Sequence, residues 1–505
     1  MAKSDHKDDT GPSPTSISPT TTVVASPTTE DKKSETVYIE WEDGDPRYPL
    51  NWSQTSRYFM ITVTFLYNSS TAMNATGYTT AQDVGSYDLH TSVEVWLTGA
   101  TAYLVPVALT PLVLAPLSEI YGRRPVYLVS LFIYTMMFIP QALAPNIAAI
   151  IASRVVQGCA GSVGNTMVAG SVADLFPKEK RAVPMSAFVF VVFMSQAIGS
   201  CASGWTVATI GWRWIFWWQG AIALGTLVAF VFVVKESRAT ILLSRRAKEL
   251  TKQTGILHKT EDDDVRRNAF VMASRNLGRP LVFFVTEPIV AFLALWIGFL
   301  WGVVFLSLEG VADSFKPYGW TPPQIDTVLL AIGVGGFVGF VSNFHQAHLY
   351  ARDVKRSDGK PIPESRLYWA MPASILTAGG LFWYGWGAQP SVHPAVPIIG
   401  LVVFSWGTYI IYLATLNYLA DAYEHYASSG IACQALLRNI FGGTFGLFAH
   451  QMYRNLTPPY ATTVLACIAA ALGIAPFALF FWGPTLRNYS RIHRRIEQEQ
   501  AEKSH

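Results

Sequence analysis

Three ionisable side chains sit well inside long apolar runs of the sequence: Arg154, Arg438 and Glu287. A charge held in hydrocarbon is costly, so one that is retained marks ligand binding, proton movement or a buried pair. Arginine offers a fixed positive charge to an anionic group, and glutamate can take up and release a proton. Arg154 and Glu287, the one well-embedded acid, are the first choices for those tasks. Gln157 lies one helical turn from Arg154 on the same face. Asn74, Gln196 and Gln434 fall in other apolar runs, as do Asn68, Asn165, Asn417, Tyr418 and Asn439. Trp296, Trp301 and Trp406 could give a flat organic molecule an amphiphilic surface.

A second group lies at the ends of the runs. Residues 115–127 read "APLSEIYGRRPVY", which sets Glu119, Arg123 and Arg124 around Gly122, with Pro116 and Pro125 on either side. The prolines punctuate helices and the glycine permits a backbone turn. Glu119 can pair with Arg123 or Arg124, or bond the N-terminus of a neighbouring helix. Such contacts can form in one conformation and break in another. "SVADLF" and "YLADAY" place Asp174 and Asp421 at matching run ends in the two halves of the chain.

Other chemistries find little support. There is no HExxH, no GxSxG and no plausible triad, so an enzyme is not expected. "GVGGFVG" (333–339) and "GGTFG" (442–446) follow no strand and lack GKS or GKT, which reads as helix packing rather than a nucleotide loop. "HQAH" (345–348) supplies two histidines without a third ligand. Cys159, Cys201, Cys433 and Cys467 all lie in apolar runs with no CxxC. No metal and no cofactor is expected. The net charge of +3, spread over separate loops, gives no nucleic-acid surface.

The elements that must position these residues follow from composition. Of 505 residues, 51% are hydrophobic and only 14% charged, against roughly a quarter charged in soluble proteins. Apolar runs near the length that crosses a bilayer cover 57–78, 93–116, 125–144, 147–172, 183–206, 213–234, 283–308, 323–344, 367–388, 395–419, 427–453 and 460–483. They are too long for barrel strands and lack the alternation of such strands. The expected fold is an all-α integral membrane protein with twelve transmembrane helices in two six-helix bundles. Residues 1–54 read as a solvated tail, 55–235 as the first bundle, 236–282 as a solvated central loop containing "EDDDVRR", 283–484 as the second bundle and 485–505 as a second tail. Arg123, Arg124, Lys178, Lys180, Arg181, Arg352, Lys355, Arg356, Lys360 and Arg366 lie on one side, against Arg213, Lys316 and Arg454 on the other. That excess places the first set, both termini and the central loop in the cytosol.

Several stretches carry a family resemblance. Ala115 to Arg124 follows the pattern G-x-L-a-D-r-x-G-r-[RK], with Leu117, Gly122, Arg123 and Arg124 in place, Ala115 for the first glycine and Glu119 for the acid. "RVVQGCAG" (Arg154, Gln157, Gly158), "GWRWIFWW", "TEP", "PESRL" and "YLADAY" follow in order. The sequence resembles the major facilitator superfamily over about residues 40–490, and within it the fungal twelve-span drug–proton antiporters. In "SQAIGSCASG" Gly199 and Gly204 fit the antiporter signature, while Ser200 replaces its proline and Ser203 a glycine. The resemblance implies two halves rocking about a midplane site, with proton-coupled efflux of a drug, toxin or secondary metabolite by a monomer in the plasma membrane. Substrate, protons and lipid would be its partners. Arg154, Gln157, Glu287, Arg438, Asn74, Gln196 and Gln434 would handle substrate or protons. Glu119, Gly122, Arg123, Arg124, Asp174 and Asp421 would form a conformational clamp. The alternatives are an importer or facilitator of an organic acid, polyamine or other nutrient, and a membrane receptor that moves nothing.

Overall fold

The computed structural model describes residues 36–260, 278–357 and 362–490, with 492 and 494, apart from 43, 178–179 and 424–425. Six long helices form the first half: α1 (Gln54–Gly77), α2 (Val93–Leu109 with Pro111–Tyr121), α3 (Arg123–Ala142), α4 (Ile147–Leu175), α5 (Ala182–Thr209) and α6 (Arg213–Val233). The second half has α7 (Pro288–Phe315), α8 (Pro322–Arg356), α9 (Ala370–Gly387), α10 (Ala395–Tyr423), α11 (427–456) and α12 (458–472 with Ala475–Tyr489). The last two run on as one helical stretch broken at Thr457, whose φ of +62° precedes Pro458 and Pro459. Neither proline can donate a helical hydrogen bond, so the chain turns there.

By length and hydropathy alone eight of these segments, or nine with bent α2, pass as membrane spans. Helices α11 and α12 count there as one continuous stretch, and α1 and α9 fall short of the hydropathy of a span. The polar residues of α1 face protein: Thr64, Asn68, Ser70, Thr71, Asn74 and Thr76 are all buried. Helix α2 bends by 45° at Thr110, where Pro111 removes a donor and Pro106 already interrupts the ladder. Burial separates interior from lipid-facing helices: the apolar window of α7 is 83% buried and that of α6 only 33%.

The halves meet along α5 with α8 and α2 with α11. Close approach there needs glycine. A Cβ on Gly336 of α8 would stand 2.7 Å from Phe193 of α5, so "GVGGFVG" serves helix packing. Below, the end carrying Arg123 and Arg366 is termed the basic side.

Two expectations need correction. Residues 36–54 and the start of the central loop are not merely solvated, because they hold each other. Strand β1 (Thr36–Tyr38) pairs in parallel with β2 (Leu257–Lys259). Helix Ala239–Thr254 presents Arg246 to Asp45 and, at 3.7 Å, to Glu42. Loop charges read as solvation because their partners lie about 200 residues away in the chain. Residues 1–35, "EDDDVRR" and 495–505 fall outside the described residues.

Candidate functional site

Arg154 and Arg438 are both buried, and the structure gives them different surroundings. Arg154 lies inside the first half. Its Nε donates to the Gly99 carbonyl at 2.7 Å, and its terminal nitrogens donate to Asn74 Oδ1 at 3.3 Å and the Asn74 carbonyl at 3.5 Å. Its guanidinium stands 4.0 Å from the Tyr78 ring centre and 5.0 Å from that of Tyr103. Asn74 and Gln141 both donate to Gln157 Oε1, at 2.9 and 2.8 Å. This set ties α1, α2, α3 and α4 together, and Arg154, Gln157 and Asn74 do not line the cavity between the halves. Each nitrogen of Arg154 has a neutral hydrogen-bond partner, which offsets part of the cost of burying the cation.

Arg438 lines that cavity. One terminal nitrogen bonds Tyr412 Oη, and the other donates across the interface to Asn165 Oδ1 of α4 at 3.0 Å. The guanidinium lies 5.1 Å from the Trp301 ring centre and 5.2 Å from that of Tyr412. Asn68, Tyr103, Asn165 and Gln196 of the first half complete the wall with Trp301, Phe305, Arg438 and Asn439 of the second. Gln434 stands one turn from Arg438 on α11 and donates to Thr415 at 2.9 Å. The enclosed volume is about 20 Å³, room for little more than a water. Inter-half hydrogen bonds lie on both sides of the cavity. Tyr409 Oη donates to the Ser186 carbonyl at 2.8 Å toward the basic side. Trp205 Nε1 donates to Thr327 Oγ1 at 3.0 Å, and Thr101 Oγ1 to the Gly443 carbonyl at 2.6 Å, toward the other. The halves are closed around the site.

Glu287 is far from this cavity. It occupies the break between helix Arg279–Thr286 and α7, fully buried. Tyr423 Oη donates to Oε2 at 3.2 Å and the Ile492 amide to Oε1 at 3.3 Å. It is not the only embedded acid. Glu309, six residues before the end of α7, is 7% exposed and faces Thr79 and Gln82 of the first half. Asp326, at the start of α8, lies against α5, where a Cβ on Gly204 would come 2.1 Å from its Oδ2. The apolar run 283–308 stops short of Glu309, because an acid there looks like a membrane boundary. The helix continues because Glu309 faces the other half rather than lipid.

The basic side carries two related ion-pair sets. Arg123 Nε pairs with Asp174 in the first half, and Arg366 Nε with Asp421 Oδ2 at 2.7 Å in the second. Of the partners open to it, Glu119 takes neither Arg123 nor Arg124, and it pairs with Arg238 Nη2 at 3.9 Å. The acid holding the turn is Glu236. Its Oε1 accepts from the amides of Arg123 and Arg238, both at 3.0 Å, and its Oε2 from the Arg124 amide at 3.1 Å. The Arg123 and Arg124 amides open α3, and Arg238 caps helix Ala239–Thr254; at such helix starts unpaired donors and the dipole attract a carboxylate. Gly122, with φ +101°, lets the chain turn beside it. Arg124 donates to the Val231 carbonyl at 3.2 Å. Glu236 and Arg238 were missed, although Glu-Ser-Arg occurs at both 236–238 and 364–366.

Two helical bundles of six, closed over a cavity that both line, define a secondary transporter of small organic compounds rather than an enzyme. The chain belongs to the Major Facilitator Superfamily, which matches residues 58–447. Among its relatives, the MFS-type transporter paaT of Penicillium rubens is 31% identical over 94% of this chain and 86% of its own length. The efflux pump radE of Floropilus chiversii is 31% identical over 91% of this chain and 86% of its own. The proton:xylose symporter XylE of E. coli shares the fold, with a TM-score of 0.59 at 13% identity over 85% of this chain and 97% of its own.

Proposed function

We propose that this transporter exports a small organic compound in exchange for protons, as a monomer in the plasma membrane with its basic side and both termini in the cytosol. The observation that carries the mechanism is the Arg438–Asn165 contact, which joins the two halves across the cavity. Moving the halves apart at either end must strain or break that contact, so occupancy of the site and the position of the halves are linked. The export direction is supported by relatives named as efflux pumps, and the orientation by the basic excess of one side.

Glu309 is our choice for the coupling proton. It lies where α7 meets the end of α1, at a seam that opens and closes as the halves rock, and no basic side chain among the described residues stands beside it. Glu287 is committed to Tyr423 and the segment after α12, and serves the basic-side closure. The Glu236, Arg123 and Asp174 set, with Arg366 and Asp421, acts as the clamp that favours one state. Reconstitution in proteoliposomes tests the assignment. An inward proton gradient should drive accumulation of substrate on the opposite side, and accumulation in the reverse sense would make the protein an importer.

A further inference from the structure

We propose that the cavity between the halves, once widened by their parting, is a seat for an organic acid, with the carboxylate on Arg438 and the ring system against Trp301. The proposal rests on the transport reading above and names its substrate class.

Arg438 is 3% exposed, and no carboxylate among the described residues pairs with it. Its partners are a phenol and an amide, and its Nε has no hydrogen-bond partner in the protein. No acid lines the cavity, so the site carries an uncompensated positive charge. A cationic ligand would be repelled there, and a neutral one would leave the charge unmatched. A carboxylate fits the planar guanidinium fork with two parallel hydrogen bonds.

Several unpaired polar atoms lie near Arg438. In the cavity wall Asn68 Oδ1 and Gln196 Oε1 are buried acceptors without a donor, and Asn439 Nδ2 is a buried donor without an acceptor. Buried polar groups are normally paired, so a cluster of exceptions at one cavity points to a ligand that completes them. Hydroxyl or amide groups on the acid would serve the two acceptors. The rings of Trp301 and Tyr412 beside the guanidinium give a flat skeleton its wall. Arg154 is the internal comparison: it is equally buried, yet none of its nitrogens lacks a partner. Burial of an arginine alone is therefore not the signal.

The test uses the purified full-length protein in lipid nanodiscs at neutral pH. The probes are 2-naphthoate, 2-naphthamide and 2-naphthylmethylamine, read by tryptophan fluorescence and thermal shift. The acid should bind at least about tenfold more tightly than the amide, with the amine weakest. Arg438→Lys should weaken the acid by about tenfold, because a point charge lacks the fork, and Arg438→Gln should erase the preference for acid over amide. The wild-type comparison stands even if a variant fails to fold. An amide or amine that binds as tightly as the acid, or failure of the acid to bind, overturns the seat. Acid preference without flux in proteoliposomes would uphold the seat and defeat the transport reading instead.

Discussion

Replacing Gly122 with alanine should stop transport while leaving the protein in the membrane. The backbone there has φ +101° and ψ 159°, a region that only glycine enters readily, at a cost of about 1–3 kcal/mol for other residues. The added Cβ would also lie 2.3 Å from Glu236 Oε2, so the carboxylate must leave the amides of Arg123 and Arg124. Losing one charge-assisted bond costs about 1.5–3 kcal/mol. Together these effects destabilise the clamped state by about 3–6 kcal/mol, which moves a two-state equilibrium by roughly 10² to 10⁴. Gly255→Ala is the control. It has a φ of +72° but nothing within 4 Å of the added carbon, so it should pay the backbone strain alone and leave flux unchanged. The assay is initial efflux rate normalised to surface protein. A Gly122→Ala protein that reaches the surface in normal amount and transports at the wild-type rate would refute the clamp.

Glu309→Gln should abolish accumulation driven by a pH gradient while substrate counterflow persists. Glu287→Gln should keep that accumulation and lower the melting temperature, through about 1–3 kcal/mol lost at Tyr423 and Ile492. Arg154→Ala should cost about 2–5 kcal/mol, because it empties a large buried site and removes the bonds to Gly99 and Asn74. Reduced folded yield in a size-exclusion profile would show this, and a normal yield would contradict it. Thr327→Cys should form a disulfide with Cys201, whose Sγ lies 3.7 Å from Thr327 Oγ1. Oxidation should then arrest transport and reductant restore it, whereas full flux in the crosslinked protein would show that this seam need not open.

The helical layout was largely legible, because apolar runs of bilayer length separated by charged turns leave few alternatives. What hydropathy could not supply was direction. Glu309 and Asp326 look like span ends until their helices are seen to face the other half. Arg154 and Arg438 look alike in sequence, each an arginine in an apolar run near glutamine. Only packing shows one satisfied inside a bundle and the other left open at the interface. The clamp was half legible: Gly122, Arg123 and Asp174 carry their own signal. Glu236 reaches them from 113 residues away, and its one sequence signal is the Glu-Ser-Arg repeated at 364–366.

Rocking of the halves about the cavity, opening one side as the other closes, can be measured directly. Spin labels on cysteines at Thr209 and Thr321 would report the opposite side, and labels at Lys180 and His348 the basic side. All four positions are exposed, and a background lacking the native cysteines keeps the labelling specific. Distances measured by electron–electron resonance in nanodiscs, between about pH 8 and about pH 5, should move in opposite senses for the two pairs, because protonation biases a single two-state element. Two pairs that stay fixed, or that lengthen together, would contradict alternating access in this protein.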